Sequence, residues 1–180
     1  MRKTLHKWFW AWDFDKEEKW LNEMSAKGLH LVSVGFCTYV FEEGNPGDYT
    51  IRLELLDYLP THPESEQYIK FVEATGAEYL GSVMRWVYFR KSGKEAGFNL
   101  YSDIDSRIRH LNRILCLLGI IAALEFGISM SNLGNFLISG VTIALFTSAL
   151  GLILGSIISY GFLRIFLKRR RLKRERALHE

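Results

Sequence analysis

The chain has 180 residues, room for one soluble domain and a short extra segment, and its formal net charge of +3 conceals a strong asymmetry. Residues 1–106 carry 12 Lys/Arg and 17 Asp/Glu, whereas residues 107–180 carry 11 Lys/Arg and 3 Asp/Glu. Because the first part lacks the basic face that a phosphate backbone requires, we expect no nucleic-acid binding by the folded domain.

The first predicted element is the stretch "WFWAW", residues 8–12, in which Trp8, Trp10 and Trp12 alternate. This alternation predicts a strand that carries the three tryptophans on one face. We favour a core position for that face. If it is exposed, it would bind a ligand or a partner together with Trp86, since clustered exposed aromatics mark binding surfaces. A belt in the membrane interface has less support, because no basic amphipathic helix adjoins the stretch.

An internal repeat with an offset of 48 residues follows, in which residues 20–41 fall on 68–89 and residues 5–12 fall on 53–60. Each copy predicts the order strand, helix, strand, strand. The predicted helices span about 15–27 and 64–75, and the later strands span about 29–34, 37–43, 77–83 and 85–91. Gly28 and Gly76 fit the left-handed position that ends each helix. Residues 1–101 are therefore predicted to form an α+β domain of two strand-helix-strand-strand repeats with a mainly antiparallel sheet.

Two membrane helices are predicted after this domain, because residues 114–167 contain only two charged side chains, Glu125 and Arg164. A juxtamembrane helix over 102–113 leads into the first span at 114–131. A short outer turn at 132–140 leads to the second span at 141–167, and a basic tail occupies 168–180. Basic residues flank both spans and none lies in the turn, so we expect a cell (inner) membrane protein with both termini in the cytoplasm.

Several residues of the helical hairpin are candidates for specific roles. Glu125 is a functional candidate because ionisable groups are rare inside membranes, but it also fits a protonated acid bonded to a serine such as Ser129 or Ser139. Small residues at four-residue spacing predict close helix packing, within the hairpin or in a homo-oligomer. They are Gly119, Ala123 and Gly127 in the first helix and Gly151, Gly155 and Ser159 in the second.

The basic tail predicts contact with anionic lipids, beyond its role as a membrane anchor. Its cations are Lys168, Arg169, Arg170, Arg171, Lys173 and Arg174.

No catalytic motif is present: the sequence lacks a phosphate-binding loop, a zinc-protease motif and a nucleophile elbow. The five histidines are scattered, and Cys37 and Cys116 lie in different regions, so neither a metal site nor a disulfide is predicted. Glu17, Glu18, Glu42 and Glu43 are interpreted as solvated residues of a helix start and a turn. We therefore expect a protein that is not an enzyme and that has no cofactor.

The segments "EEKWLNEMSAKGLHL", "YVFEEG", "YIKFVEATGAEYL", "WVYFRK" and "LYSDIDSR" together resemble the bacterial domain-of-unknown-function family 2812, over roughly residues 4–110. The resemblance implies membrane helices after the domain and genes that often lie beside those of PadR-type transcriptional regulators. It implies no activity and no functional residues.

Two functions remain open. The first is a membrane-anchored, non-catalytic interaction module, an adaptor or regulatory protein that binds a protein partner such as a regulator or a transporter. The alternative is a membrane-tethered sensor that binds an apolar or amphipathic small ligand in an aromatic-lined groove between the repeats. A transporter of its own has less support, because two helices form a path only in an oligomer or with a partner.

Overall fold

A computed structural model describes residues 2–92, 98, 100 and 104–179 of the chain. The chain divides into two compact units, Met1–Ser106 and Arg107–Glu180. The residues expected to begin the juxtamembrane helix, 102 and 103, lie outside the described part of the chain.

The first unit consists of two repeats with the same order of elements, as predicted. The first contains β1 (Arg2–His6), α1 (Phe14–Ala26), β2 (Leu29–Gly35) and β3 (Thr38–Glu43); the second contains β4 (Tyr49–Leu55), α2 (Pro63–Ala74), β5 (Ala77–Val83) and β6 (Trp86–Ser92). The antiparallel sheets have the strand orders β1-β3-β2 and β4-β6-β5. The α+β fold class is therefore confirmed, with one three-stranded sheet in each repeat.

The two repeats also agree in detail. β2 contains a bulge between Leu31 and Ser33, and β5 contains one between Tyr79 and Gly81. The glycines after the two helices, at positions 28 and 76, have φ values of 80° and 86°. Since other residues rarely adopt this left-handed conformation, glycine can end each helix there without steric cost.

The tryptophan-rich stretch is not a strand, contrary to the prediction. β1 ends at His6, and residues 7–10 are irregular and lead into a 3-10 turn at Ala11–Asp13. The second repeat behaves alike, since β4 ends at Leu55 instead of extending through residues 56–60. β1 is a polar, exposed strand that pairs only with β3 in the described part of the chain, so it lacks the apolar alternation by which strands are recognised.

Side chains of α1 form hydrogen bonds with backbone groups on the outer edge of β4. Asn22 Nδ2 donates to the Ile51 carbonyl oxygen at 2.9 Å, and Asn22 Oδ1 accepts from the Ile51 amide at 2.9 Å. Glu18 Oε2 accepts from the Leu53 amide at 3.1 Å. Polar side chains of α1 thus take the place of a neighbouring strand along the edge of the second sheet, and they join the first repeat to the second.

The strands β2 and β5 lie beside each other and run in the same direction. Arg90 Nη1 donates to the Leu31 carbonyl oxygen at 3.0 Å, and Arg90 is paired across the second sheet with Glu78 of β5. Three residues further along both strands, a β-carbon on Gly81 would lie 3.4 Å from Val34 Cγ1. Because successive residues of β2 lie beside successive residues of β5, the hairpin tips that follow these two strands lie at the same end of the unit.

The main core of the first unit contains side chains from both repeats. Leu21, Leu31 and Phe41 of the first repeat are completely buried and pack with Ile51 and Leu53 of the second. The two repeats therefore share this cluster, and the second repeat has a further cluster of its own, which includes Leu56, Ile69 and Phe89.

The second unit is an antiparallel helical hairpin of α3 (Ile104–Ser139) and α4 (Thr142–His179). Both helices are long and apolar enough to span a membrane. The predicted turn at 132–140 is wrong for most of its length, because α3 continues to Ser139 and the chain reverses at Gly140, whose φ is 68°. The Ser, Asn and Gly residues of "SNLGN" lie within α3 and do not end it.

Candidate functional site

The two hairpin tips and the tryptophan-rich stretch lie at the same end of the first unit. The Lys7 amide donates to the Cys37 carbonyl oxygen at 3.1 Å, and the Leu56 amide donates to the Arg85 carbonyl oxygen at 2.9 Å. Four large apolar side chains are exposed here, and we call them the aromatic end: Trp8 (54% exposed), Trp10 (39%), Phe36 (71%) and Met84 (78%).

Ring contacts hold the tryptophans of the aromatic end in place. Trp8 meets both Trp10 and Phe36 edge-on, with ring centroids 5.4 and 5.8 Å apart. Trp10 is stacked on Trp12 at 4.8 Å and an interplanar angle of 6°. Because Trp12 is buried, it anchors two exposed rings to the domain.

The four predicted tryptophans therefore have different roles. The predicted core position is confirmed for Trp12 and is wrong for Trp8 and Trp10, which face solvent. Trp86 is half-buried, lies 5.6 Å from the Phe14 ring and packs against the core. Trp12 and Trp86 thus support the surface that Trp8 and Trp10 form.

Sequence analysis missed Phe36 and Met84. Both occupy two-residue loops, between β2 and β3 and between β5 and β6. Cys37 and Met84 have φ values of 54° and 55° without being glycines. Such loops are recognised in sequences by glycine or asparagine, and these loops contain neither. Phe36 and Met84 are 48 positions apart and so correspond in the repeat. This correspondence is the sequence signal that both tips carry a large apolar side chain.

The aromatic end also contains a cation. Arg85 follows Met84 at the second hairpin tip, and its Nε atom is buried with no hydrogen-bond partner among the described residues. Arg85 thus places a basic side chain at the second hairpin tip, next to the exposed Met84.

A buried carboxylate joins the two sheets behind this surface. Glu17 is 8% exposed, and its Oε1 atom accepts hydrogen bonds from Tyr39 Oη at 2.7 Å and Tyr88 Oη at 2.6 Å. Burial raises the pKa of Glu17 above 4.5, although the hydrogen bonds from Tyr88 and Tyr39 act in the opposite direction. The interpretation of Glu17 as a solvated residue of the helix start is therefore wrong.

The same environment perturbs the two tyrosines. Burial raises the pKa of both Tyr39 and Tyr88, and the neighbouring Glu17 charge adds to the effect. Both hydroxyls therefore stay protonated and act as hydrogen-bond donors at physiological pH. Tyr39 lies in β3 and Tyr88 in β6, so this cluster holds α1 against both sheets.

No metal-binding arrangement is present among the described residues, since no three His, Cys, Asp or Glu side chains are grouped to hold an ion. The two cysteines, Cys37 and Cys116, are free thiols.

The helical hairpin keeps one register along its length. Arg169 Nη1 donates to Asn112 Oδ1 at 3.0 Å. The basic residues that precede the apolar part of α3 and those that follow the apolar part of α4 therefore lie at the same end of the hairpin. A β-carbon on Gly119 would lie 3.4 Å from the Phe162 ring, and one on Gly155 would lie 3.2 Å from the Phe126 ring.

The predicted small-residue stripes divide between two faces. Gly119, Gly151 and Gly155 face the opposite helix, whereas Ala123 is exposed and a side chain at Gly127 would have no neighbour within 4 Å. Positions eight residues apart on a helix are rotated by about 80°, so one straight contact cannot use the whole stripe. Ser159 is half-buried.

Glu125 lies at the contact between the helices. It is half-buried, and its Oε2 atom lies 3.4 Å from the position that a β-carbon on Gly151 would occupy. The predicted bond between its carboxyl group and Ser129 is not present, and the Ser129 hydroxyl donates to the backbone oxygen of residue 125 at 2.6 Å. The Ser139 hydroxyl bonds to Asn135.

The basic tail is helical, because α4 continues to His179. Four of its predicted lipid-binding cations are exposed, and two are half-buried. The exposed residues are Arg170, Arg171, Lys173 and Arg174, and the half-buried residues are Lys168 and Arg169.

The fold and these surfaces define a class of protein: an α+β domain of two repeats followed by an apolar helical hairpin. Comparison with known families gives a match over residues 13–123 to the family described as "Protein of unknown function (DUF2812)", and the chain belongs to that family. The match begins within the first repeat and extends into α3, so it both starts and ends later than the resemblance over roughly residues 4–110. No curated protein and no solved structure matches the chain.

Proposed function

We propose that this chain is a membrane-anchored, non-catalytic interaction module whose aromatic end docks a protein partner. The observation that carries the proposal is the gathering of Trp8, Trp10, Phe36 and Met84, all exposed, at one end of the first unit. Interface cores are rich in aromatic residues, Met and Arg, and this end offers all of them, including Arg85.

The proposed membrane anchor is the helical hairpin. Large apolar side chains are exposed along both helices, among them Leu124, Ile128, Phe146 and Ile153, which is unfavourable in water. The Asn112–Arg169 contact places the basic segments together, and the turn at residues 140–141 carries no charge. The positive-inside rule then favours a cytoplasmic domain and tail, with the tail cations on anionic lipid headgroups.

The rigidity of the aromatic end favours docking of a partner. Trp8 and Trp10 are fixed by the buried Trp12, so little side-chain freedom is lost when a partner covers them. A partner that buries about 100 Å² of one such ring gains about 2.5 kcal/mol from the hydrophobic effect.

Corresponding elements of the two repeats are separated by the same offset of 48 residues, and this supports an internal duplication as the origin of the two hairpin tips.

A photo-crosslinking experiment tests this proposal. A photoreactive amino acid replaces Phe36 in the full-length chain in its own cell membrane, and the matched control replaces Phe71, which is 66% exposed on α2. We expect one protein adduct at position 36 that is lost in the double variant Trp8→Ser/Trp10→Ser and is not seen at position 71. Equal adducts at both positions, or none at position 36, would contradict the docking function.

The sensor alternative predicts a different outcome at the same positions. An apolar ligand that covers Trp8 and Trp10 would quench tryptophan fluorescence without giving a protein adduct at position 36.

A further inference from the structure

We propose that Glu125 forms an intramembrane ion pair with a lysine or arginine on a transmembrane helix of a partner protein. This inference rests on the proposed membrane insertion of the hairpin, but it does not depend on the aromatic end. It assigns a second contact surface to the chain and requires a basic residue in a transmembrane helix of the partner.

The depth of Glu125 is the first observation. α3 is continuous from Ile104 to Ser139, so Glu125 lies about 18 Å from Arg113 at the basic end and about 21 Å from Ser139 at the turn. These distances place its carboxyl group near the middle of a hydrocarbon core of about 30 Å. An acidic group at that depth is costly unless another group pairs with it.

The surroundings of Glu125 are the second observation. Among the described residues, none donates a hydrogen bond to its carboxyl group or forms an ion pair with it, although two serines lie close by. Ser129 donates to the backbone at position 125, and Ser156 donates to the Leu152 carbonyl oxygen at 2.7 Å. Both hydroxyl protons are therefore used by the helices themselves.

The cations of the chain cannot supply the missing charge at this depth. Gly119 faces Phe162 and Asn112 faces Arg169, so the hairpin register places Arg164 opposite residue 117. That position is about 12 Å along α3 from Glu125, on the side of the basic end. A second copy of the chain in the same orientation would bring its Arg164 to the same shallow level.

The shape of the hairpin at this level leaves access to the carboxyl group. Gly151 and Gly155 lie opposite Glu125 and Phe126, so α4 has no side chain at these two positions. Leu124 and Ile128, on either side along α3, are 59% and 58% exposed. A third helix can approach this surface closely, and a basic side chain on it satisfies both the charge and the hydrogen-bond acceptors of Glu125.

The test uses the full-length chain in its own cell membrane, with a photoreactive amino acid at Ile128. The captured peptide is mapped by mass spectrometry in the wild-type background and in Glu125→Gln and Glu125→Asp. We expect an apolar span with a lysine or arginine within one helical turn of the adduct, a loss of yield of about tenfold in Glu125→Gln, and retention in Glu125→Asp.

A charge exchange controls for misfolding of the variants. Glu125→Lys combined with Lys→Glu or Arg→Glu in the captured span is expected to restore the yield. An adduct to a span without a basic residue, a yield unchanged in Glu125→Gln, adducts only to a second copy of the chain, or adducts only to lipid would each overturn the ion pair. Resistance of the chain to carbonate extraction is measured in parallel, so failure of membrane insertion is distinguished from failure of this inference.

Discussion

The hydroxyls of Tyr39 and Tyr88, which belong to different sheets, donate to the same carboxylate oxygen of Glu17, at 2.7 and 2.6 Å. One side chain of α1 therefore links the two repeats from inside the core. Phe14, one helical turn before Glu17, packs against Trp86 near the aromatic end. The buried cluster thus contributes to positioning the end of the domain that we propose as the docking surface.

Glu17→Gln is expected to stabilise the domain at neutral and alkaline pH. Because the pKa of Glu17 is raised in the folded state, the folded chain binds this proton more readily than the unfolded chain does. The wild-type free energy of unfolding therefore has its full contribution from Glu17 below the unfolded pKa and loses it as pH rises through the folded pKa. Glutamine keeps the acceptor oxygen for both tyrosines and removes the charge.

Thermal unfolding of the full-length protein in detergent, measured from pH 4 upward, checks this prediction. The difference in melting temperature between Glu17→Gln and wild type should grow with pH. Glu43→Gln, at an exposed position, is the control and should give curves parallel to those of the wild type. If the curve for Glu17→Gln is also parallel, Glu17 has no raised pKa in the folded state.

Asn22→Ala is expected to loosen the edge of the second sheet. The substitution leaves the amide and the carbonyl of Ile51 without their side-chain partners, at a cost of about 1–3 kcal/mol. Hydrogen exchange detected by mass spectrometry should show faster exchange in residues 49–55. Glu23→Ala, whose side chain is 53% exposed, is the neighbouring control, and exchange of the same size there would refute a specific role for Asn22.

The sequence predicted the elements that have a regular pattern and failed where a tertiary contact replaces that pattern. α1 and α2 are marked by apolar periodicity and a terminal glycine, and their predicted and observed bounds agree to within one residue. β1 is defined by pairing with β3 and carries mostly exposed polar residues, so no local feature reveals it. The alternation of the tryptophans imitated a strand, although only Trp12 reaches the core.

The candidate sites were predictable to a similarly limited degree. Trp8 and Trp10 stand out by composition, and Glu125 stands out as an acid within an apolar run. Glu17 does not, because an acid in the first turn of a helix is normally solvated. Only the fold brings Tyr39 and Tyr88, 49 positions apart, to the same oxygen.

Trp12→Ala and Trp8→Ala are expected to separate stability from binding. Trp12 is 6% exposed and anchors the stack of rings, so its removal should cost about 3–5 kcal/mol. Trp8 is 54% exposed, and its removal should change the free energy of unfolding by less than about 1 kcal/mol. Chemical denaturation of the full-length protein, followed by circular dichroism, measures both. Comparable destabilisation by the two substitutions would mean that Trp8 belongs to the core instead of to a docking surface.

Gly151→Ala is expected to separate the two helices of the hairpin. A β-carbon at position 151 would overlap the Ser129 hydroxyl, which is buried and already bonded to the backbone at position 125. Gly127→Ala is the matched control, because a side chain there would have no neighbour within 4 Å. The loss of close packing should lower the melting temperature of the protein in detergent for Gly151→Ala only. Adding Ser129→Gly to Gly151→Ala removes the overlapping group and should recover part of the loss, whereas equal effects of the two single substitutions would contradict the observed packing.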